Sequence, residues 1–264
     1  MAQGHARQKI VPPQTAPPQD KSMNIVRNWR KFMAVGCSHG HLAKQENLDA
    51  VLLFKHSFRP ETVIHLGDFW DLAALRSGAA GTPDDAVDIE HDLGAGMEFL
   101  KALEPQMIFV GNHEDRIYHK AASPRAEISY AAGKMIGQLN DFCSQMKAEL
   151  VPYHIKTGWR KFGDTLFGHG YMFNEMFIRD HAETFGKCCI AHGHKVGQAE
   201  GRRSDNPVAY CVGTLADIPA MTYAKTKRAL LSWSAGIGHG EYCDDETIVN
   251  LCRKSDSGEW RLPL

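Results

Sequence analysis

A layered α/β (α+β) domain is what this sequence predicts, and three observations predict it. Short apolar runs alternate with helical patterns through the first half, in the order βαβαβα. The second half turns to short strand-like runs separated by Gly and polar turns. Five of the apolar runs end at a cluster that joins glycine with His, Asp, Asn or Cys. Strands alternating with helices and then followed by strands fit packed layers of sheet and helix.

The elements follow in chain order. Residues 32–35, Phe-Met-Ala-Val, read as the first strand. Leu48, Val51 and Leu52 mark a helix with one apolar face, and residues 62–66 the next strand. Ile89, Leu93, Met97 and Leu100 recur at helical spacing, with Asp84 and Asp85 as the expected helix start. Residues 107–110 read as a strand. Ile128, Met135, Leu139, Phe142 and Met146 mark a further amphipathic helix. Later strand-like runs lie at 166–167, 188–191, 208–212, 230–233 and 248–251, with one helical stretch over 173–184. Residues 1–24 are expected to be a disordered arm. Pro12, Pro13, Pro17 and Pro18 crowd a Gln-rich, apolar-poor stretch that cannot bury enough surface to fold. Residues 25–264 are then expected to form one domain.

Composition narrows the function classes. Hydrophobic residues make up 43% and charged residues 23% of the 264 residues, ordinary values for a soluble globular chain. The net charge of -1 sends no global signal toward nucleic acid or membrane. Local basic clusters exist at Arg27, Arg30 and Lys31 around Trp29, at Arg202-Arg203, and at Lys225, Lys227 and Arg228. No apolar run is long enough to span a bilayer. Seven cysteines is an odd number, and none forms a CxxC pair. With no secretory-signal pattern, reduced thiols in a cytoplasm are expected. No motif sets the oligomeric state.

The chemistry sits at the run ends. The clusters are Gly36-Cys37-Ser38-His39-Gly40, Gly67-Asp68-Phe69-Trp70-Asp71, Gly111-Asn112-His113-Glu114, Gly168-His169-Gly170 and His192-Gly193-His194. Polar ligands at strand ends, beside glycines that let the backbone turn, form a site at one sheet edge. Imidazole suits Zn and Fe, and carboxylate and amide oxygens suit Mn and Mg. Taken singly, Gly67-Asp68 and Gly111-Asn112 are ordinary turn chemistry, and a lone His169 is an ordinary structural histidine.

Taken in order, the five clusters over residues 32–196 resemble the calcineurin-like metallophosphoesterase family. The segments 111–116 and 233–236 are similar to small phosphoesterases of bacteriophages and bacteria. The resemblance implies a four-layer αββα sandwich of two mixed β-sheets flanked by helices. It implies hydrolysis of a phosphate mono- or diester by a hydroxide that two metal ions (Mn, Zn or Fe) activate. Carried over by position, His39, Asp68 and His194 hold the first ion, with Cys37 if it ligates. Asp68, Asn112, His169 and His192 hold the second, Asp68 bridging. His113 faces the scissile phosphate, and Asp71 hydrogen-bonds and orients it. Arg116 binds a substrate phosphate, or else pairs with Glu114 or Asp115 at a helix start.

Cys37 departs from the family pattern, which has Asp there. Three readings stay open: a thiolate ligand favouring Zn or Fe, a first site reduced to His39, Asp68 and His194, or a fold that has lost turnover and only binds. A nuclease would need a basic, aromatic-lined groove, which the near-neutral charge does not favour. Tyr171, Phe173 and Lys195 are expected to serve packing or solvation as readily as a pocket. His41, His65, His91, His119, His154, His181 and His239 fall outside the pattern and are expected to be structural or surface groups, with His41 and His65 possible neighbours of the site.

Overall fold

The computed structural model describes residues 27–221 and 232–263. The expected arm over 1–24, the basic cluster at Lys225, Lys227 and Arg228, and the start of the 230–233 run lie outside the described residues. The strands are β1 (Arg30–Val35), β2 (Thr62–His65), β3 (Met107–Phe109), β4 (Glu149–Val151), β5 (Arg160–Phe162) and β6 (Thr165–Phe167), then β7 (Cys188–Ile190), β8 (Val196–Glu200), β9 (Val208–Val212), β10 (Gly236–Tyr242) and β11 (Thr247–Arg253). The helices are α1 (Gln45–Phe58), α2 (Ile89–Leu103), α3 (Asn112–Ala121), α4 (Ala126–Met146) and α5 (Phe177–Phe185).

Two mixed sheets result. The first runs β11-β10-β1-β2-β3-β4 and the second β5-β6-β7-β9-β8. Strands β1 to β4 are mutually parallel, and β10 joins β1 antiparallel. In the second sheet β6, β7 and β9 are parallel, with antiparallel strands at both edges.

Alternation along the strands explains the layering. On β1, Phe32 and Ala34 face the second sheet and join Ile64, Leu66, Phe109, Phe167, Cys189 and Val212 in the inter-sheet core. The rings of Phe32 and Phe167 meet edge-to-face at 5.2 Å. Met33 and Val35 point the other way and pack on Val51 and Phe54 of α1 and Phe99 and Leu103 of α2. On the far side, Cys188, Ile190, Ala209 and Cys211 pack on Phe177, Ile178 and Ala182 of α5. Parallel strands covered on both faces read as continuous apolar runs, which is why 32–35 and 188–190 stood out. The layers are therefore helices, sheet, sheet, helix, the expected αββα sandwich.

Several expectations are corrected. Asp84 and Asp85 do not start α2; they lie in a separate 3-10 turn over Pro83–Ala86. The helix is capped by Asp88, whose side chain accepts from the backbone N–H of Glu90 and His91. Ser232 and Trp233 are not in a strand; β10 begins at Gly236. Its Gly-rich sequence, Gly-Ile-Gly-His-Gly, contains no apolar run. All seven cysteines are free and buried. Among the described residues no helix is long and apolar enough to cross a membrane.

Candidate metal centre

Every candidate ligand, and with them the candidate catalytic pair Asp71 and His113, lies just past the C-terminal end of a parallel strand: Cys37 and His39 after β1, Asp68 and Asp71 after β2, Asn112 and His113 after β3, His169 after β6, His192 and His194 after β7. The turns are sharp. Cys37 (φ 52°), His39 (57°), Asp68 (54°), His192 (29°) and His194 (53°) all adopt the left-handed backbone conformation. For non-glycine residues this costs roughly 1–2 kcal/mol each and clusters at functional sites.

Main-chain bonds hold the strain. The N–H of Cys37 donates to Gly67 O (2.8 Å), His39 N–H to Asp68 O (3.0 Å) and Gly40 N–H to Phe69 O (2.8 Å). The first two loops are thus zipped together. Cys37 O also accepts from Leu215 N–H (3.1 Å) and Thr214 Oγ1 (2.7 Å). A side chain at Gly111 would overlap the Asp68 carboxylate, so the third loop reaches the second only because that residue is glycine.

Two sets of donors share Asp68. Ligand atoms of Cys37, His39, Asp68 and His194 all lie within 4.8 Å of one another, as do those of Asp68, His169 and His192. Asn112 Oδ1 joins the second set, 3.0 Å from His169 Nε2 and 2.8 Å from His192 Nδ1. Asp68 divides its labour. Oδ1 accepts from His113 N–H (3.0 Å), while Oδ2 faces His169 Nε2 at 3.2 Å and Cys37 Sγ at 4.0 Å.

These groups fit a cation. His169 Nδ1–H donates to Leu66 O at 2.7 Å, so in the neutral ring Nε2 presents a lone pair to two oxygens, Asp68 Oδ2 and Asn112 Oδ1. Acceptors converging on acceptors are stabilised by a positive charge among them. In the first set, His39 Nε2 and His194 Nε2 stand 3.0 Å apart, and the buried His194 Nδ1 has no hydrogen-bond partner among the described residues.

The electrostatics point the same way. Burial works against ionisation of Asp68, yet His169 and His113 hold its carboxyl well below the usual range. Burial, with His169 beside it, lowers His192 to about 3. Burial and then His39 push His194 well down, and burial lowers His39 against the pull of Asp71. These three imidazoles are therefore neutral, the form that ligates. Burial and Asp68 push the Cys37 thiol well up, so deprotonation there needs a cation.

His113 and Asp71 lie together beside the donor sets. Asp71 Oδ1 is 3.0 Å from His39 Nδ1 and 3.4 Å from His113 Nδ1, but the short bond to His113 runs to the Asp71 backbone carbonyl, at 2.6 Å. Asp71 thus orients two imidazoles, His113 chiefly through its main chain. Burial opposes protonation of His113, but Asp68 and Asp71 win and raise its pKa. Arg116 donates to Asp71 O (2.7 Å) and Leu72 O (3.1 Å). These bonds are made instead of the ion pair with Glu114 or Asp115 that was one of the two alternatives read from sequence.

Two buried carboxylates were not singled out from sequence. Glu114 accepts from the N–H groups of Asp68 (2.9 Å), Trp70 (2.8 Å) and Gly111 (2.8 Å), latching the second and third loops. Burial and the charge of Asp68 raise it to about 7. Asp92 accepts from the N–H groups of His41, Asp71 and Leu72. Its signal was present: it lies on the buried α2 stripe with Gly96, Phe99 and Leu103, where a carboxylate is unexpected. His65 is buried, accepting from Gly67 N–H and bonded to Ser38 Oγ. Tyr171 stacks on Tyr153 at 4.8 Å, Phe173 is exposed, and Lys195 is half-buried. Arg27 and Arg30 pair with Asp245, Glu246 and Asp244, and Arg203 with Asp205. Those basic clusters are offset by acids.

A strand-end constellation of imidazole, carboxylate and amide donors on a two-sheet αββα sandwich is the class the fold and site define, and it is the arrangement that the sequence resemblance implies. Solved structures similar to this chain carry phosphoesterase names. An archaeal phosphodiesterase is 14% identical, with 84% of this chain and 99% of that one covered, at a TM-score of 0.44. A metallophosphoesterase from Sphaerobacter thermophilus is 16% identical, with 89% and 90% covered, at 0.47. A phosphoesterase from E. coli is 15% identical, with 79% and 87% covered, at 0.36. No protein-family model matches the chain, and no curated protein matches it. The fold assignment rests on the sheet topology and the site on its own distances.

Proposed function

We propose that this chain is a metal-dependent phosphoric ester hydrolase acting on a phosphate mono- or diester. The observation that carries the reading is the position of Asp68 Oδ2 between two donor sets, facing His169 Nε2 on one side and Cys37 Sγ on the other. Cys37, His39, Asp68 and His194 would hold one metal ion, and Asp68, Asn112, His169 and His192 a second. Zn, Fe and Mn all suit such ligands; a thiolate tilts the first set toward Zn or Fe. Bound ions supply Lewis acidity toward the phosphoryl oxygens and a nucleophile at neutral pH.

The chain's own residues do the rest. His113 keeps its Nδ1–H on Asp71 O, which leaves Nε2 to carry a proton toward the leaving oxygen. Asp68 and Asp71 raise its pKa against burial, which favours the protonated ring. Asp71 fixes the tautomer of His39 by accepting from Nδ1–H, leaving Nε2 as the ligating atom.

A second reading, a fold that binds without turnover, is favoured by one observation. Cys37 is fully buried within the inter-sheet apolar cluster, where a thiol also serves as packing. The test separates the two. Metal content is measured on the purified chain, and a generic phosphomonoester and phosphodiester are assayed with added Mn, Zn or Fe. Turnover lost in Asp68→Asn and His113→Ala supports the enzyme. An empty site and no turnover with any metal overturn it. Preference between the two esters decides phosphatase from phosphodiesterase.

A further inference from the structure

Asp92 belongs to none of the five motifs, yet its carboxylate is fully buried in the first turn of α2. Burying a charge is costly unless hydrogen bonds replace water. Here they do. Oδ2 accepts from Leu72 N–H at 2.8 Å and Asp71 N–H at 3.1 Å; Oδ1 accepts from His41 Nδ1–H at 2.8 Å and His41 N–H at 3.2 Å. The positive end of the helix adds to this. A side chain at Gly40 would overlap Asp92 Oδ1, so the carboxylate reaches the loops only because that residue is glycine.

Arg116 of α3 takes the opposite end of the same residue. Its Nη1 donates to Asp71 O at 2.7 Å and to Leu72 O at 3.1 Å. Asp71 is thereby held by its N–H from one helix and by its C=O from another. Its side chain touches His39 Nδ1 (3.0 Å) and its carbonyl touches His113 Nδ1 (2.6 Å). Leu72, next in the chain, takes the left-handed conformation (φ 49°), and its carbonyl and that of Asp71 both accept from Arg116.

We propose that Asp92 and Arg116 are positioning residues: from α2 and α3 they clamp the main chain of Asp71, and through it they aim the rings of His39 and His113. This assigns Arg116 to the scaffold of the site instead of to the substrate. The effect on turnover rests on the hydrolase reading above; the effect on the two imidazoles does not.

The experiment uses the full chain with 15N-labelled histidine and needs no substrate for its first arm. In Asp92→Asn, the ring-nitrogen resonances of His39 and His113 shift. Those of His169, whose Nδ1–H is held by Leu66 O, stay in place. In the second arm, kcat falls about 10- to 100-fold, the usual cost of losing support behind such imidazoles, with KM little changed. Because the clamp acts through Asp71, the losses in Asp92→Asn and Asp71→Asn are less than additive when combined. If Asp92→Asn does not fold, Arg116→Lys, which keeps the charge but loses the planar fork, is judged by the same ring resonances. Unchanged His39 and His113 resonances in a folded variant, or fully additive losses, overturn the proposal. Shifted resonances in a chain whose wild type hydrolyses nothing overturn the hydrolase reading and leave the clamp standing.

Discussion

His169 Nε2 stands 3.2 Å from Asp68 Oδ2 while its Nδ1–H is already given to Leu66 O. The ring must therefore either take up a second proton or meet a cation. Burial resists the proton, although Asp68 raises the ring's pKa. A bound metal ion would relieve this contact. Chelation is expected to lower the melting temperature, and Zn or Mn in excess to raise it, since a ligand bound only to the native state stabilises by mass action. In Asp68→Asn the metal-dependent shift vanishes. Thermal melts with and without chelator check this.

Cys37 is pinned through its own N–H and C=O beside His39, Asp68 and His194. With Co(II) in the site, a thiolate ligand gives an intense near-ultraviolet charge-transfer band that Cys37→Ser lacks. Cobalt that binds without such a band shows the sulfur to be packing only. In Cys37→Asp, preference is expected to move from Zn toward Mn, as oxygen replaces sulfur.

His113 has its folded pKa raised above the ordinary 6.5, so its protonated form persists above that value. As pH rises through the raised pKa the proton is lost, and kcat is expected to fall on that limb. His113→Ala costs about 10²- to 10⁴-fold, the range for general acid catalysis. The loss shrinks for esters whose leaving group needs no proton. A pH–rate profile on esters of differing leaving-group acidity tests it; equal losses for all would falsify the assignment.

Glu114 receives three backbone N–H groups from the second and third loops. Glu114→Gln turns one acceptor into a donor facing those groups. The expected loss is about 1–3 kcal/mol, the cost of a buried polar group left unpaired. Denaturant unfolding of the metal-free protein measures it.

His65 is buried and lowered from 6.5 to about 3. Its neutral ring is satisfied at both nitrogens, accepting from Gly67 N–H and donating to Ser38 Oγ. Between the folded and unfolded values the unfolded chain binds the extra proton. Stability from this group is thus complete above about pH 6.5 and falls as pH drops toward 3, by at most about 1.4 kcal/mol per pH unit. His65→Asn is expected to flatten that part of the stability–pH curve. An unchanged slope would show that other groups set it.

The buried runs 32–35, 107–110 and 188–191 were legible because strands covered on both faces are apolar throughout. Strand β10 was not, because its glycines pack between neighbours instead of filling a core; a side chain at Gly238 would crowd Val212. The start of α2 was misplaced because Asp84, Asp85 and Asp88 are all plausible caps, and of the three only Asp88 accepts from the N–H groups of the first turn of α2. The run at 230–233 reads as apolar, but of its described residues Ser232 and Trp233 neither is in a strand, and Trp233 packs on His194 at 4.5 Å.

Sequence alone determined the chemistry: which His, Asp, Asn and Cys residues end which strands, and in what order, because a ligand and the glycine that turns its loop are neighbours in the chain. Tertiary structure decided what each does for the others. That Asp68 faces both donor sets, that Asp71 reaches His113 mainly by its carbonyl, and that Asp92 and Arg116 grip the two ends of Asp71 are relations between residues far apart in sequence. Such relations have no local pattern. They exist only once parallel strands bring their C-terminal ends to one edge and buried polar groups must find partners there.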